Sequence, residues 1–265
     1  MEKKAITINN KIISYGVEGV GQPVVLLHGF GEDSSVWENQ VDYLRHNYQV
    51  IVPDIPGSGK SELTDDVSME GIAGVVKQII EAEELDAVVL IGHSMGGYAT
   101  MAFAEQYPHM LDGFGLFHST AAADTEEKKE ARRKGIAFIE KNGANEFLET
   151  TIPNLFADTT KEKKPELIKA FTASLPKFSR PALKAYYEAM IARPERIDLF
   201  SKTDLPVLFI IGEQDNLISF EDVLKQSSMP RVSYIHVLHH SGHMGMLEEP
   251  AKANAAIEEF LMELK

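Results

Sequence analysis

The chain has 265 residues, 44% hydrophobic and 25% charged, which is the composition of an ordinary soluble globular protein and enough for one large domain or one domain with an inserted lobe. A formal net charge of −14 argues against nucleic acid or an anionic membrane surface as partner, since their phosphates would repel it. The absence of cysteine excludes disulfides, zinc–thiolate and iron–sulfur sites and a thiol nucleophile; with no signal-peptide run and no stretch near the roughly 20 apolar residues of a spanning helix, a cytoplasmic location is expected.

Residues Ile6 to Val17 alternate loosely around Asn9-Asn10-Lys11, which predicts a β-hairpin at the antiparallel edge of a mixed sheet. Pro23 to Leu27 reads as a buried strand that runs into the glycine-containing loop His28-Gly29-Phe30-Gly31. His28 is expected to satisfy hydrogen bonds in that loop rather than to take part in chemistry. Ser34 or Ser35 is the expected cap of a helix carrying Val36, Trp37, Val41 and Leu44 on one face. Tyr48 to Pro53 is the next strand, followed by Asp54 to Ser61. Gly59-Lys60-Ser61 imitates the end of a phosphate-binding loop, but that motif needs a glycine where Asp54 stands, so nucleotide binding is set aside.

Ile72, Val75, Val76, Ile79 and Ile80 recur at helical spacing and predict an amphipathic helix leading to a short apolar strand, Val88 to Ile91. Gly92-His93-Ser94-Met95-Gly96 then forms a G-x-S-x-G pattern between strand and helix, where side chains at the two glycines would collide and the serine is held at the tip of a sharp turn. Beside such a turn, the amides of Phe30 and Met95 are the expected oxyanion donors. The alternation of strands and helices predicts an α/β fold with a mostly parallel, doubly wound sheet, helices on both faces, and a ligand site at the carboxyl ends of the strands.

After a further strand from Leu111 to Phe117 the alternation stops. Residues 121–202 show helical stretches punctuated by Pro153, Pro176 and Pro194, and are read as a helical cap (lid) inserted into a core formed by 1–120 and 203–265. Leu155, Phe156, Phe171, Tyr186 and Met190, with Leu175 and Phe178, are its candidate substrate contacts; the competing reading places them in the small core of the lobe itself. The basic run from Lys128 to Lys134, interleaved with glutamates, reads as a solvated helix face, and Arg180, Arg193 and Arg196 as surface or capping residues.

Leu205 to Ile211 restores the strand pattern, with Asp215 in the loop beyond it, and Val232 to Leu238 is the last strand before His239-His240-Ser241-Gly242-His243. A serine hydroxyl needs an imidazole to take its proton, and the imidazole needs a carboxylate to orient it. Ser94, Asp215 and His243 supply that set. His239 and His240 fall at the strand end, Asp204 precedes its strand and Glu213 stops short of the loop, so all are poorer candidates; His118 is expected to be packed or bonded within its loop.

His28-Gly29-Phe30-Gly31, Asp54 through Ser61, Gly92-His93-Ser94-Met95-Gly96-Gly97, Gly212-Glu213-Gln214-Asp215 and Ser241-Gly242-His243 together resemble the α/β-hydrolase fold superfamily over nearly the whole chain, in its order and spacing, and within it a lidded serine esterase. The resemblance implies Ser94 as nucleophile, His243 as base, Asp215 as acid, and Phe30 and Met95 as oxyanion donors. It implies hydrolysis of a small or medium carboxylic ester, with no cofactor or metal, a small-molecule substrate as partner, and a monomer or homodimer. A C–C bond hydrolase, amidase or lactonase could use the same three residues, and a small-molecule-binding signalling protein on this scaffold is the alternative of another class.

Overall fold

The chain enters through a tight hairpin. In the computed structural model, which describes residues 1–264, β1 (Glu2–Ile8) and β2 (Lys11–Glu18) pair antiparallel from Glu2↔Val17 to Ile8↔Lys11. Asn9 and Asn10 close the turn at φ 49° and 63°, the left-handed pair whose twist matches that of the flanking strands and which asparagine tolerates better than most residues.

The remaining strands are parallel to one another: β3 (Gln22–Leu27), β4 (Tyr48–Pro53), β5 (Val88–His93), β6 (Leu111–Phe117), β7 (Val207–Gly212) and β8 (Ser233–Leu238). The eight strands run in the order β1-β2-β4-β3-β5-β6-β7-β8, with β2 antiparallel to β4. β5 is central and every one of its residues is buried, as a strand covered on both faces requires. The helices are α1 (Glu38–Leu44), α2 (Met69–Ala82), α3 (Met95–Gln106), α4 (Glu126–Asn142), α5 (Ala144–Thr151), α6 (Asp158–Lys163), α7 (Pro165–Ser174), α8 (Arg180–Ala192), α9 (Leu199–Lys202), α10 (Phe220–Ser227), α11 (Gly245–Glu248) and α12 (Pro250–Glu263). Helix α2 packs on α3, and α1 on α12, so the sheet is clothed by helices on both faces. No helix among the described residues is long and apolar enough to cross a membrane.

Two local expectations are corrected. The turn before α1 is capped by Asp33, whose side chain accepts from the Ser35 amide at 2.9 Å, rather than by Ser34 or Ser35. Ser34 is buried inside that turn and its own amide is taken by Asp54 Oδ1 at 3.0 Å. Arg193 and Arg196 are buried rather than superficial, because each guanidinium finds fixed acceptors. Arg193 pairs with Asp124 at 3.0 Å and lies 3.7 Å from the Tyr98 ring centroid, while Arg196 binds Glu105 at 2.9 Å and also Glu70. These contacts fasten α8 and the chain leaving it to α2 and α3. The phosphate-loop imitation is likewise filled: Asp54 Oδ2 accepts from the Lys60 amide at 2.9 Å, so a carboxylate occupies the centre of that turn.

Candidate active site

The site begins with a backbone constraint at the end of β5. Ser94 is held at φ 50° and ψ −115°, a conformation that costs about 1–3 kcal/mol for a residue with a side chain. Gly92 permits it, because a Cβ there would overlap the Gly96 carbonyl; Gly96 permits it too, because a Cβ there would come within 2.6 Å of the Leu27 and His28 carbonyl oxygens. The turn is pinned from below by the Ser94 amide donating to Phe117 O at 3.0 Å and the Ser119 hydroxyl donating to Ser94 O at 2.7 Å. Among the described residues, the amides of Phe30 and Met95 donate to no protein acceptor, and the Ser94 hydroxyl makes no hydrogen bond. Ser94, Phe30 and His243 line one cavity of about 330 Å³.

His243 Nδ1 donates to Asp215 Oδ2 at 2.7 Å, and both side chains are almost wholly buried. Asp215 Oδ1 in turn accepts from the amides of Leu217 and Ile218 at 2.8 and 3.1 Å. Burial alone would raise the Asp215 carboxyl; the His243 charge and hydrogen bond, with the Leu217 amide, outweigh it and bring the value to about 2. Burial pulls the His243 imidazole down, but the Asp215 charge and hydrogen bond leave it above its ordinary value. With Nδ1 committed to Asp215, His243 presents Nε2 to the cavity as a proton acceptor.

The histidines that sequence reading set aside have structural partners. His28 Nε2 accepts from the Ile55 amide at 3.0 Å and Nδ1 reaches Gly29 O at 2.8 Å, tying the loop after β3 to the loop after β4. His239 lies exposed against Glu213 at 2.9 Å, and His240 is exposed. His118, at φ 46°, accepts the Gly212 amide on Nδ1 at 2.9 Å. That nitrogen also stands 3.7 Å from Asp215 Oδ2, but since it is already an acceptor and burial holds His118 well below its ordinary value, the contact is not an ion pair.

Two buried glutamates that no motif marks organise the surroundings. Glu32 Oε2 accepts from the Gly29 amide at 2.7 Å and from His93 Nδ1 at 3.0 Å, and His93 Nε2 donates to His243 O at 2.9 Å. One carboxylate thereby joins the loop of Phe30, the residue before Ser94 and the loop of His243. Glu248 accepts on Oε1 from the amides of Gly242 and Met244, which flank His243, at 2.8 and 3.2 Å. On Oε2 it accepts from the Ala157 amide at 2.9 Å and the Thr160 hydroxyl at 2.6 Å. The His243 amide donates to Leu155 O at 2.7 Å, so the segment between α5 and α7 is stitched directly to the histidine loop. Burial raises the Glu248 carboxyl and its four donors pull it back only in part.

Of the five apolar residues expected at the substrate, Leu155 and Met190 line the cavity and the other three do not. Phe156 is fully buried and meets Phe171 edge-on at 6.0 Å between ring centroids, so that pair packs within the insertion. Tyr186 is also buried, with its hydroxyl donating to Pro56 O at 2.7 Å. In their place stand Tyr98, Ile152, Tyr187 and, from the basic run, Lys128 and Arg132. Arg132 is not part of a solvated face: it is held by Asp124 through two hydrogen bonds and lies 5.6 Å from the Tyr187 ring centroid. Asp124 and Tyr187 give no motif; the one signal in the chain is the spacing of Lys128 and Arg132 one turn apart on α4, which puts them on a shared face but does not say that it meets a cavity. Among the described residues, no group of three or more His, Asp or Glu is arranged to hold a metal ion.

With strand order, elbow and cavity in view, the comparisons with known proteins agree. Residues 24–256 match the alpha/beta hydrolase family, and the chain belongs to it. Its relatives include an (E)-2-((N-methylformamido)methylene)succinate hydrolase of Acinetobacter baylyi, 26% identical over 96% of this chain and 95% of that one. A 2-hydroxy-6-oxo-2,4-heptadienoate hydrolase of Pseudomonas putida is 25% identical over 96% of each. Among solved structures, a thermophilic esterase from Thermogutta terrifontis with malate bound superimposes at a TM-score of 0.93 with 29% identity, covering 100% of this chain and 99% of that one.

Proposed function

We propose that this hydrolase cleaves a small or medium carboxylic ester through an acyl-enzyme on Ser94. The observation that carries the reading is the strained Ser94 standing on the same cavity wall as a His243 already bound to Asp215 at 2.7 Å. His243 Nε2 takes the hydroxyl proton as Ser94 Oγ attacks the ester carbonyl carbon. The oxyanion meets the free amides of Phe30 and Met95, and the proton then passes to the departing alkoxide. In the second half, His243 takes a proton from water as it attacks the acyl carbonyl carbon; the bond to Ser94 Oγ then breaks, the proton passes to Ser94 and the carboxylic acid departs. The helical insertion acts as the cap: a cavity of about 330 Å³, walled by Leu155, Met190 and Ile152, suits a short acyl chain. The esterase likeness over the full chain supports this choice.

The relative named as a 2-hydroxy-6-oxo-2,4-heptadienoate hydrolase favours a second reading, a C–C bond hydrolase with the same three residues. Hydrolysis of p-nitrophenyl esters of increasing acyl length by the wild type and by Ser94→Ala, together with labelling by a fluorophosphonate, separates the two. Turnover and labelling that both vanish in the variant carry the ester reading. Labelling without ester turnover carries the second, and neither in a folded protein overturns both.

A further inference from the structure

Three carboxylates are buried around the reaction cavity, and one of them is only half used. Asp215 and Glu248 have both oxygens occupied by donors. Glu32, 2% exposed, uses Oε2 alone, for the Gly29 amide and His93. Oε1 receives no hydrogen bond from the described residues, and Glu32 lines the cavity with Ser94 and His243, so Oε1 is the atom left to that space. The Glu32 carboxylate and the nucleophile flank the same glycine: a Cβ on Gly29 would stand 3.1 Å from Ser94 Cβ and 3.2 Å from Glu32 Oε2. Burial works against ionisation of Glu32, yet the His93 charge and hydrogen bond and the Gly29 amide hold its carboxyl below the ordinary value.

Neither lysine nor arginine on the wall is available to Oε1. Arg132 is committed to Asp124, and Lys128 donates to Leu217 O at 3.2 Å. Much of the wall is apolar, with Phe30, Ile152, Leu155 and Met190. An acyl group that enters here displaces water from an ionised oxygen, which is unfavourable unless the group brings a hydrogen-bond donor of its own. We propose that Glu32 is a specificity-determining residue whose Oε1 accepts a hydrogen bond from a hydroxyl on the carbon next to the scissile carbonyl, so that the preferred substrates are esters of 2-hydroxy acids. This rests on the ester reading and narrows it. A carboxylate at the same position is rejected by like charge.

The test compares methyl 2-hydroxybutanoate with methyl 2-methylbutanoate, which has nearly the same shape, by proton release at constant pH. For each protein the ratio of kcat/KM is divided by the ratio of hydroxide-catalysed rates, which removes intrinsic reactivity. The wild type should favour the hydroxy ester at least about tenfold, in line with a hydrogen bond to a charged acceptor. The preference should shrink in Glu32→Gln and fall to within about twofold of unity in Glu32→Leu. Damage to the Gly29 loop slows both esters alike and cancels, and fluorophosphonate labelling of Ser94 shows which variants keep a working nucleophile. A wild-type ratio near unity, or a ratio undiminished in both variants, overturns the proposal while leaving the esterase standing; if the leucine variant does not fold, the wild-type and glutamine ratios decide. No turnover of any ester, with Ser94 unlabelled, overturns the ester reading and this inference with it.

Discussion

The floor and the roof of the cavity are built on different principles. The floor, at the carboxyl ends of β3, β5 and β7, is set by backbone: Ser94 sits at φ 50° between glycines that exclude any Cβ, and Asp215 and Glu32 are fixed by amide donors as well as by histidines. The roof, from α4 to α8, is set by side-chain packing: Phe30 stacks on Tyr187 at 4.4 Å between centroids, Phe156 meets Phe171, and Arg132 lies against Tyr187. On the proposed reaction, the floor holds chemistry that the loss of one atom should abolish, and the roof sets size, with residues that should substitute for one another at modest cost.

The comparison breaks first at the floor. Ser94→Ala should lower kcat on a p-nitrophenyl ester by at least about 10⁴-fold with little change in melting temperature, because the hydroxyl makes no internal hydrogen bond to lose. A variant that retains activity would remove Ser94 from its assigned role.

Asp215→Asn comes next, at about 10³–10⁴-fold in kcat, since an amide can hold His243 in the wrong tautomer. Its pH profile is the sharper readout. His243 must be unprotonated to act, and Asp215 raises it above 6.5, so the acid limb of kcat/KM lies above that value in the wild type and moves to lower pH in the variant. Stability follows linkage. The raised imidazole stabilises the fold fully below about 6.5, a contribution lost as pH rises through its folded value, while the lowered carboxylate stabilises it above 3.8 and is lost as pH falls through about 2. Both dependences should flatten in Asp215→Asn when melting temperature is followed against pH.

The same division decides what could be read from the chain. The hairpin, the mostly parallel sheet and the positions of Ser94, Asp215 and His243 at strand ends were legible because glycines, asparagines and short β-branched runs encode local backbone, and backbone is what the floor is made of. Glu32 and Glu248 were not, because a buried carboxylate is spelled like an exposed one and only its partners, 61 residues away at His93 or 88 away at Thr160, reveal it. The roof failed for a related reason. Helical periodicity says that Phe156, Phe171 and Tyr186 are apolar-facing, but an insertion has two apolar faces, its own core and the cavity, and spacing does not distinguish them.

Glu248 joins floor to roof, and its replacement sits between their magnitudes. In Glu248→Gln the amide nitrogen must face either the Gly242 and Met244 amides or the Ala157 amide and Thr160 hydroxyl, setting donor against donor. A loss of about 1–3 kcal/mol in unfolding free energy is expected by denaturant titration. A fall in kcat of about tenfold should accompany it as the His243 loop loosens. Lost stability with kcat untouched would show that the loop does not depend on this bracket.

The smallest effects belong to the roof, and there the sign of the change matters more than its size. Met190→Ala and Leu155→Ala remove side chains that line the cavity, so the acyl-length optimum should move to longer chains, with kcat/KM on the short ester falling by only about threefold. Tyr186→Phe deletes a hydroxyl that holds Pro56 O from outside the cavity, so it should cost about 1 kcal/mol of stability and leave the chain-length profile where it was. The pair of measurements is informative because Tyr186 and Met190 lie one turn apart on α8, with similar burial and opposite assignments. A shifted optimum in Tyr186→Phe, or none in Met190→Ala, would mean that the cavity in the working enzyme is bounded by a different face of that helix.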